Sequence, residues 1–160
     1  RRTLPLEDFI IDYGKQDRAK GEFVESVTVP PVPEESHFAV YKISKRRDED
    51  ISALCAAFLI TLDEESAVSS ARIAFGGMAG TPKRAAAVEA SLTGAKWGWT
   101  TIQAAQGELE SDYSPLSDWR ASADYRMRVA QNLLTRFFLE TSGAPARLDT
   151  SETVMLEAGE

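Results

Sequence analysis

The chain has 160 residues, 43% of them hydrophobic and 27% charged, a balance that describes a folded domain with one sizeable core and excludes a disordered chain. Its formal net charge of -7 lacks the surplus of Lys and Arg that binding along phosphates requires, so nucleic acid is not expected as a partner. A single cysteine, Cys55, and a single histidine, His37, leave no material for an internal disulfide, a cysteine-ligated iron–sulfur cluster, a zinc site or a histidine-based nucleophilic triad. His37 is expected to be structural or superficial. No apolar run approaches the length of a membrane span, and the amino terminus lacks the basic-then-apolar order of a secretory signal. No membrane partner and a cytoplasmic location are therefore expected, and the opening at Arg1 points to a fragment.

In chain order, residues 4–14 set short apolar patches between turn residues and show little periodicity. Residues 23–29 alternate, with Phe23, Glu25, Val27 and Val29 on one side and Val24, Ser26 and Thr28 on the other, a β-branched pattern that predicts a strand. Pro30, Pro31 and Pro33 cannot sustain a ladder of amide donors, so a domain boundary is placed there. Residues 37–43 form a second predicted strand. Residues 53–62 form a third, with Leu54, Ala56, Phe58, Ile60 and Leu62 on one face. A polar turn at residues 63–66 leads to a fourth strand over 68–75, with Ala71, Ile73 and Phe75 inward and Ser70 and Arg72 outward. The third and fourth strands should pair as an antiparallel hairpin.

Thr81 as a cap and Pro82 at a first helical position predict a helix through Ala85, Val88 and Leu92 that Gly94 stops. A weaker helix is predicted near residues 102–109. In the last helix Tyr125, Val129, Leu133 and Phe137 recur every fourth residue beside Ala130, Leu134 and Phe138, which marks a buried stripe. Arg126, Arg128 and Arg136 are assigned to its remaining faces, Ser117 or Asp118 to its cap, and Gly143 with Pro145 to its end. Strands first and helices afterwards predict an α+β two-layer sandwich, an antiparallel sheet of three to four strands followed by about three helices. The organisation expected is an end of a preceding domain with its linker over 1–34, the sandwich over 35–145, and a tail over 146–160.

Three patches offer chemistry. The run from Tyr41 to Asp50 sets Lys45, Arg46 and Arg47 directly before Asp48, Glu49 and Asp50, so its charges cancel locally and composition alone reads it as a solvated loop. The link Phe75-Gly76-Gly77-Met78-Ala79-Gly80-Thr81-Pro82 has neither Walker nor Rossmann glycine spacing, and reads as a tight connection using glycine for unusual backbone angles. The run from Asp118 to Arg126 reads, taken alone, as helix capping with exposed ion pairs.

Together these segments resemble a family. Tyr41-Lys42-Ile43-Ser44-Lys45-Arg46 followed by Asp50-Ile51, then Ala74-Phe75-Gly76-Gly77-Met78-Ala79 leading into Thr81-Pro82-Lys83-Arg84-Ala85, then Arg120-Ala121-Ser122 to Tyr125-Arg126, stand in the order found in xanthine dehydrogenases. The chain is similar to the carboxy-terminal part of their FAD-binding portion, and Leu4-Pro5-Leu6-Glu7-Asp8-Phe9 and residues 22–30 to the end of the FAD-binding domain before it. The resemblance implies FAD as cofactor, with 2Fe–2S clusters and molybdopterin in other parts of the enzyme and NAD collecting a hydride. It implies as partners the amino-terminal FAD-binding and iron–sulfur parts and a molybdenum-binding subunit.

By residue, Lys42 matches a lysine that contacts FAD, where a cation stabilises the negative charge of the reduced ring, and Val24 matches an apolar residue bordering the cofactor. The loop of Ser44, Lys45, Arg46, Arg47, Asp48, Glu49 and Asp50 matches one that approaches the flavin near the docking place of NAD. No catalytic or metal-binding residue is expected in this chain. It lacks the glycine-rich pyrophosphate loops of the amino-terminal FAD domain, which implies a module inactive alone. The alternative is a non-catalytic subunit-contact module of a related molybdenum hydroxylase that oxidises carbon monoxide, aldehydes or acyl thioesters.

Overall fold

A computed structural model of the protein describes residues 1–46 and 51–143. The alternating segments form strands β3 (Ser36–Ile43), β4 (Leu54–Leu62) and β5 (Val68–Gly76), preceded by a one-turn helix α1 (Leu6–Phe9) and a small hairpin of β1 (Ile10–Asp12) and β2 (Lys15–Gln16). A two-residue strand, β6 (Lys83–Arg84), follows, and then helices α2 (Ala86–Leu92), α3 (Trp99–Asp112) and α4 (Ala123–Thr141). The main sheet is antiparallel throughout, in the order β3-β4-β5-β6.

The period of two decides which face is covered. Leu54, Ala56, Phe58 and Ile60 of β4 and Val68, Ala71, Ile73 and Phe75 of β5 are buried under the helices, joined by Val88, Leu92, Ile102, Leu109, Leu134 and Phe137. The Ala71–Val68 spacing breaks strict alternation because Thr61 pairs with Ser70 and Leu62 with Val68, so Ser69 bulges out and Val68 still faces inward. Phe58 is the hub of this core. Its ring stacks on Phe137 at 5.0 Å and meets Phe75 edge-on at 5.7 Å and Tyr41 at 5.9 Å.

Three expectations are corrected. The helix after the glycine-rich link starts at Ala86 rather than at Pro82, because Lys83 and Arg84 first pair with Phe75 and Ala74 at the sheet edge. No side chain of its own caps α2; Asp112, at the far end of α3, accepts from the amides of Ala87 and Val88 at 2.9 and 3.1 Å. Residues 23–29 form no strand: they have no ladder partner among the described residues, and Phe23, Val24, Val27 and Val29 are exposed. Arg126 does not lie on an outer face of α4. It is buried, with 4% of its surface exposed.

Among the described residues, none of α2, α3 and α4 covers the opposite face of the sheet. Phe38 and Val40 of β3 are 55% and 53% exposed there, and at its β5 side Arg72 and Arg84 reach Glu7 of α1 at 3.4 and 3.8 Å. No described helix is long and apolar enough to cross a membrane.

Candidate functional site

The antiparallel register gathers the three motif segments at one end of the sheet. β3 ends at Ile43, β4 begins at Leu54 and β5 ends at Gly76, so Lys42, Cys55 and Gly76 lie side by side in one row on the uncovered face. Lys42 is exposed there and Cys55 is a half-buried free thiol. The row has a low profile. Among the described residues a Cβ built on Gly76 would meet only the Cβ of Cys55, at 3.9 Å, so no contact with them demands a glycine at this point.

Arg126 fastens the end of the sheet to α4. Its Nη1 donates to the carbonyl of Gly77 at 2.8 Å and to the carbonyl of Ala53, and its Nη2 donates to Asp118 Oδ1 at 2.7 Å. One guanidinium therefore holds the residue before β4, the link after β5 and the approach to α4. Gly77 has a positive φ of 83°, and a Cβ there would fall 2.5 Å from the Ala53 oxygen and 3.0 Å from Arg126 Nη1. The glycine-rich link is thus shaped around the arginine, which accounts for this glycine.

Asp118 organises the turn before α4. Its Oδ1 accepts from the amides of Arg120 and Ala121 at 2.8 and 3.0 Å as well as from Arg126. The Ala121 amide above all, then those of Arg120 and the Arg126 guanidinium, hold its carboxyl down to about 2, against an opposing effect of partial burial. The helix itself is capped by Ser122, whose Oγ accepts from Tyr125 N at 3.2 Å, while Ser117 Oγ takes the amide of Ala123 at 2.8 Å. Of the two expected caps, Ser117 meets a helical amide and Asp118 serves the turn.

Between this turn and the β3 end lies a cleft of about 380 Å³ lined by Ser44, Lys45, Arg120, Ser122 and Tyr125, among others. Lys45 Nζ spans its mouth to the carbonyl of Trp119 at 3.0 Å, and Ser44 Oγ donates to the carbonyl of Arg46 at 2.7 Å. Lys42, Ser44, Lys45 and Arg46 thus stand at the same end as the Arg120–Arg126 segment. Val24 lies in the unladdered stretch and is exposed. Arg47, Asp48, Glu49 and Asp50 lie outside the described residues.

Residues 39–141 match the CO dehydrogenase flavoprotein C-terminal domain. The chain belongs to that family. It is 30% identical over 138 residues to the xanthine dehydrogenase of Emericella nidulans, covering 84% of this chain and 10% of that protein. It is also 30% identical over 144 residues to the xanthine dehydrogenase FAD-binding subunit of Escherichia coli O157:H7, covering 89% of this chain and 49% of that subunit. Among solved structures, the carbon monoxide dehydrogenase of Hydrogenophaga pseudoflava that lacks the Mo-pyranopterin moiety superposes with a TM-score of 0.76 at 28% identity, over 84% of this chain and 46% of that one. The chain spans about half the length of such flavoprotein chains and a tenth of the fungal enzyme. The family's α+β sandwich and its resemblance to xanthine dehydrogenases, both expected from the sequence, are borne out by these matches.

Arg126 is the residue at this end whose charge misplaced it. The row of Ala130 and Leu134, extended one turn towards the amino terminus, lands on position 126, so the stripe itself predicts burial there. The charge argued for the surface, while Gly77 supplied the space for it and Gly77 and Ala53 the carbonyls.

Proposed function

We propose that this protein is the carboxy-terminal portion of the FAD-binding part of a xanthine dehydrogenase, holding one side of the FAD that receives electrons from iron–sulfur clusters and delivers a hydride to NAD. The observation that carries the reading is the convergence of Lys42, the Ser44–Arg46 stretch and the Arg120–Arg126 segment at one end of a sheet whose outer face is uncovered. In this reading residues 1–34 close the preceding FAD-binding domain, Val24 borders the cofactor from that side, and the loop from Ser44 to Asp50 flanks the ring.

The residues fit a flavin on one side only. The Lys42–Cys55–Gly76 row offers a planar floor with short side chains and one projecting cation, and the unfilled space over Gly76 suits a flat aromatic group. Pyrophosphate-binding glycine loops belong to the absent part of the flavoprotein. A bound flavin would supply redox chemistry able to link one-electron and two-electron partners. Lys42, whose backbone is set by its pairing with Cys55, would bring a positive charge to where the ring becomes electron-rich. Arg126 keeps the floor and the α4 turn in a fixed relation, and the strand end excludes water from one face of the ring.

The substrate oxidised at molybdenum is a purine in this proposal, on overall similarity to the xanthine dehydrogenases. Co-expression with the remaining flavoprotein and cluster-bearing parts tests the cofactor role. Lys42→Ala is expected to weaken flavin retention by about tenfold and to slow NAD reduction. Unchanged flavin content together with unchanged NAD reduction removes the role assigned to Lys42.

A further inference from the structure

Gly76 and Gly77 are neighbours under different constraints. Gly77 is fixed by the chain itself, through its positive φ and the nearness of the Ala53 carbonyl. Gly76 is not: its φ lies outside the positive region, and a Cβ on it would make only an ordinary contact with Cys55 among the described residues. A glycine in a strand packs no side chain and loses more conformational freedom on folding than any other residue. A strand position that has room for alanine and carries glycine therefore marks a place where a group from outside comes close to the backbone.

The surroundings of Gly76 are low as well. In the next row of the same uncovered face Ala57 pairs with Ala74, so Cys55, Ala57, Ala74 and Gly76 form a shallow depression across β4 and β5. Neighbouring strands lie about 4.8 Å apart and alternate residues of one strand about 7 Å apart, so the depression measures about 5 by 7 Å between Cα positions. Longer side chains bound it, Val40 and Lys42 on β3 and Leu59 with Arg72 in the row beyond. A flat ring system fills such a floor in van der Waals contact, with Lys42 at its edge.

We infer that Gly76 is a contact residue for the flavin, its missing side chain letting the ring rest directly on the β5 backbone, with Cys55, Ala57 and Ala74 completing the floor. The inference rests on the reading of FAD against the Lys42 row and adds the steric condition under which the ring reaches that row. A methyl group at position 76 lifts the ring off the floor, whereas the fold has room for it.

The test uses the complete enzyme, with its other parts co-expressed, stripped of flavin and then titrated with FAD while the quenching of flavin fluorescence is followed. Gly76→Ala is expected to weaken FAD binding about tenfold and Gly76→Val about a hundredfold, with urea midpoints and assembly unchanged. Ser70→Val, on the same face at the far end of β5, is expected to bind as the parent does. Where valine at position 76 lowers the midpoint, the alanine variant decides alone. Parental affinity in Gly76→Ala overturns the inference, and so does a matching loss in Ser70→Val. Failure of Gly76→Ala to assemble with the other parts overturns it in favour of a polypeptide segment as occupant. Weakened binding at position 76 beside unchanged flavin retention and NAD reduction in Lys42→Ala upholds the contact and removes the role of Lys42. The reverse pattern keeps Lys42 and overturns Gly76.

Discussion

Arg126 brings a permanent charge into the interior, where it meets two carbonyls and one carboxylate. Removing such a charge leaves those acceptors without their donor, so Arg126→Gln is expected to destabilise the chain by about 2–4 kcal/mol. Two adjacent glycines make a sharper comparison. Gly77→Ala forces a Cβ into the Ala53 carbonyl at a positive φ and is expected to cost about 1–3 kcal/mol, whereas Gly76→Ala makes only an ordinary van der Waals contact with the Cβ of Cys55 and should change stability by less than about 0.5 kcal/mol. Urea unfolding of the three variants checks the ranking. Asp118 adds a pH signature. Its carboxyl is depressed to about 2 in the folded protein, below the ordinary value near 4, so the stability it contributes is complete above about pH 4 and is lost as the pH falls through about 2. Asp118→Asn is expected to remove that part of the acid dependence in pH-dependent unfolding. The sequence showed the glycines and the charges; it did not show that they are partners, because 49 residues separate Arg126 from Gly77 and only the folded sheet brings them together.

Strands β3 to β5 were legible because each alternates against a covered face, and the alternation survives as burial, with Leu54, Ala56, Phe58 and Ile60 in and Cys55, Ala57 and Leu59 less so. Phe58 then makes a measurable demand on the core. Phe58→Ala is expected to cost about 3–5 kcal/mol in denaturant unfolding, since its ring touches aromatic partners from β3, β5 and α4 at once. The elements that escaped sequence reading depend on distant partners. Thr81 and Pro82 are good local signals for a helix start, but a sheet edge captures Lys83 and Arg84, and Arg84 is then fixed by Glu89 through bonds of 2.5 and 2.6 Å. Glu89 also accepts from the amide of Ile73 at 2.7 Å, tying α2 to β5. Residues 23–29 carry a strand's composition without a strand's neighbour, and propensity alone does not close a ladder. The candidate site was legible as three motifs, and their common location became visible only through the register.

At the scale of the molecule, one face of the sheet carries the core and the other is left open by α2, α3 and α4, with Phe38, Val40 and the Lys42 row on it. That asymmetry is what a module completing a larger flavoprotein requires, and it agrees with a chain that spans about half of the flavoprotein chains it matches. The proposed mechanism needs a strand end that presents Lys42 on the uncovered face, which the register of the described residues forms by itself. A structure of the flavin-loaded assembly measures the central element directly, as the distance from Lys42 Nζ to the flavin. The account predicts an ammonium within hydrogen-bond reach of the cofactor, about 3 Å from one of its acceptor atoms. An ammonium in bulk water, with the flavin held elsewhere, contradicts it.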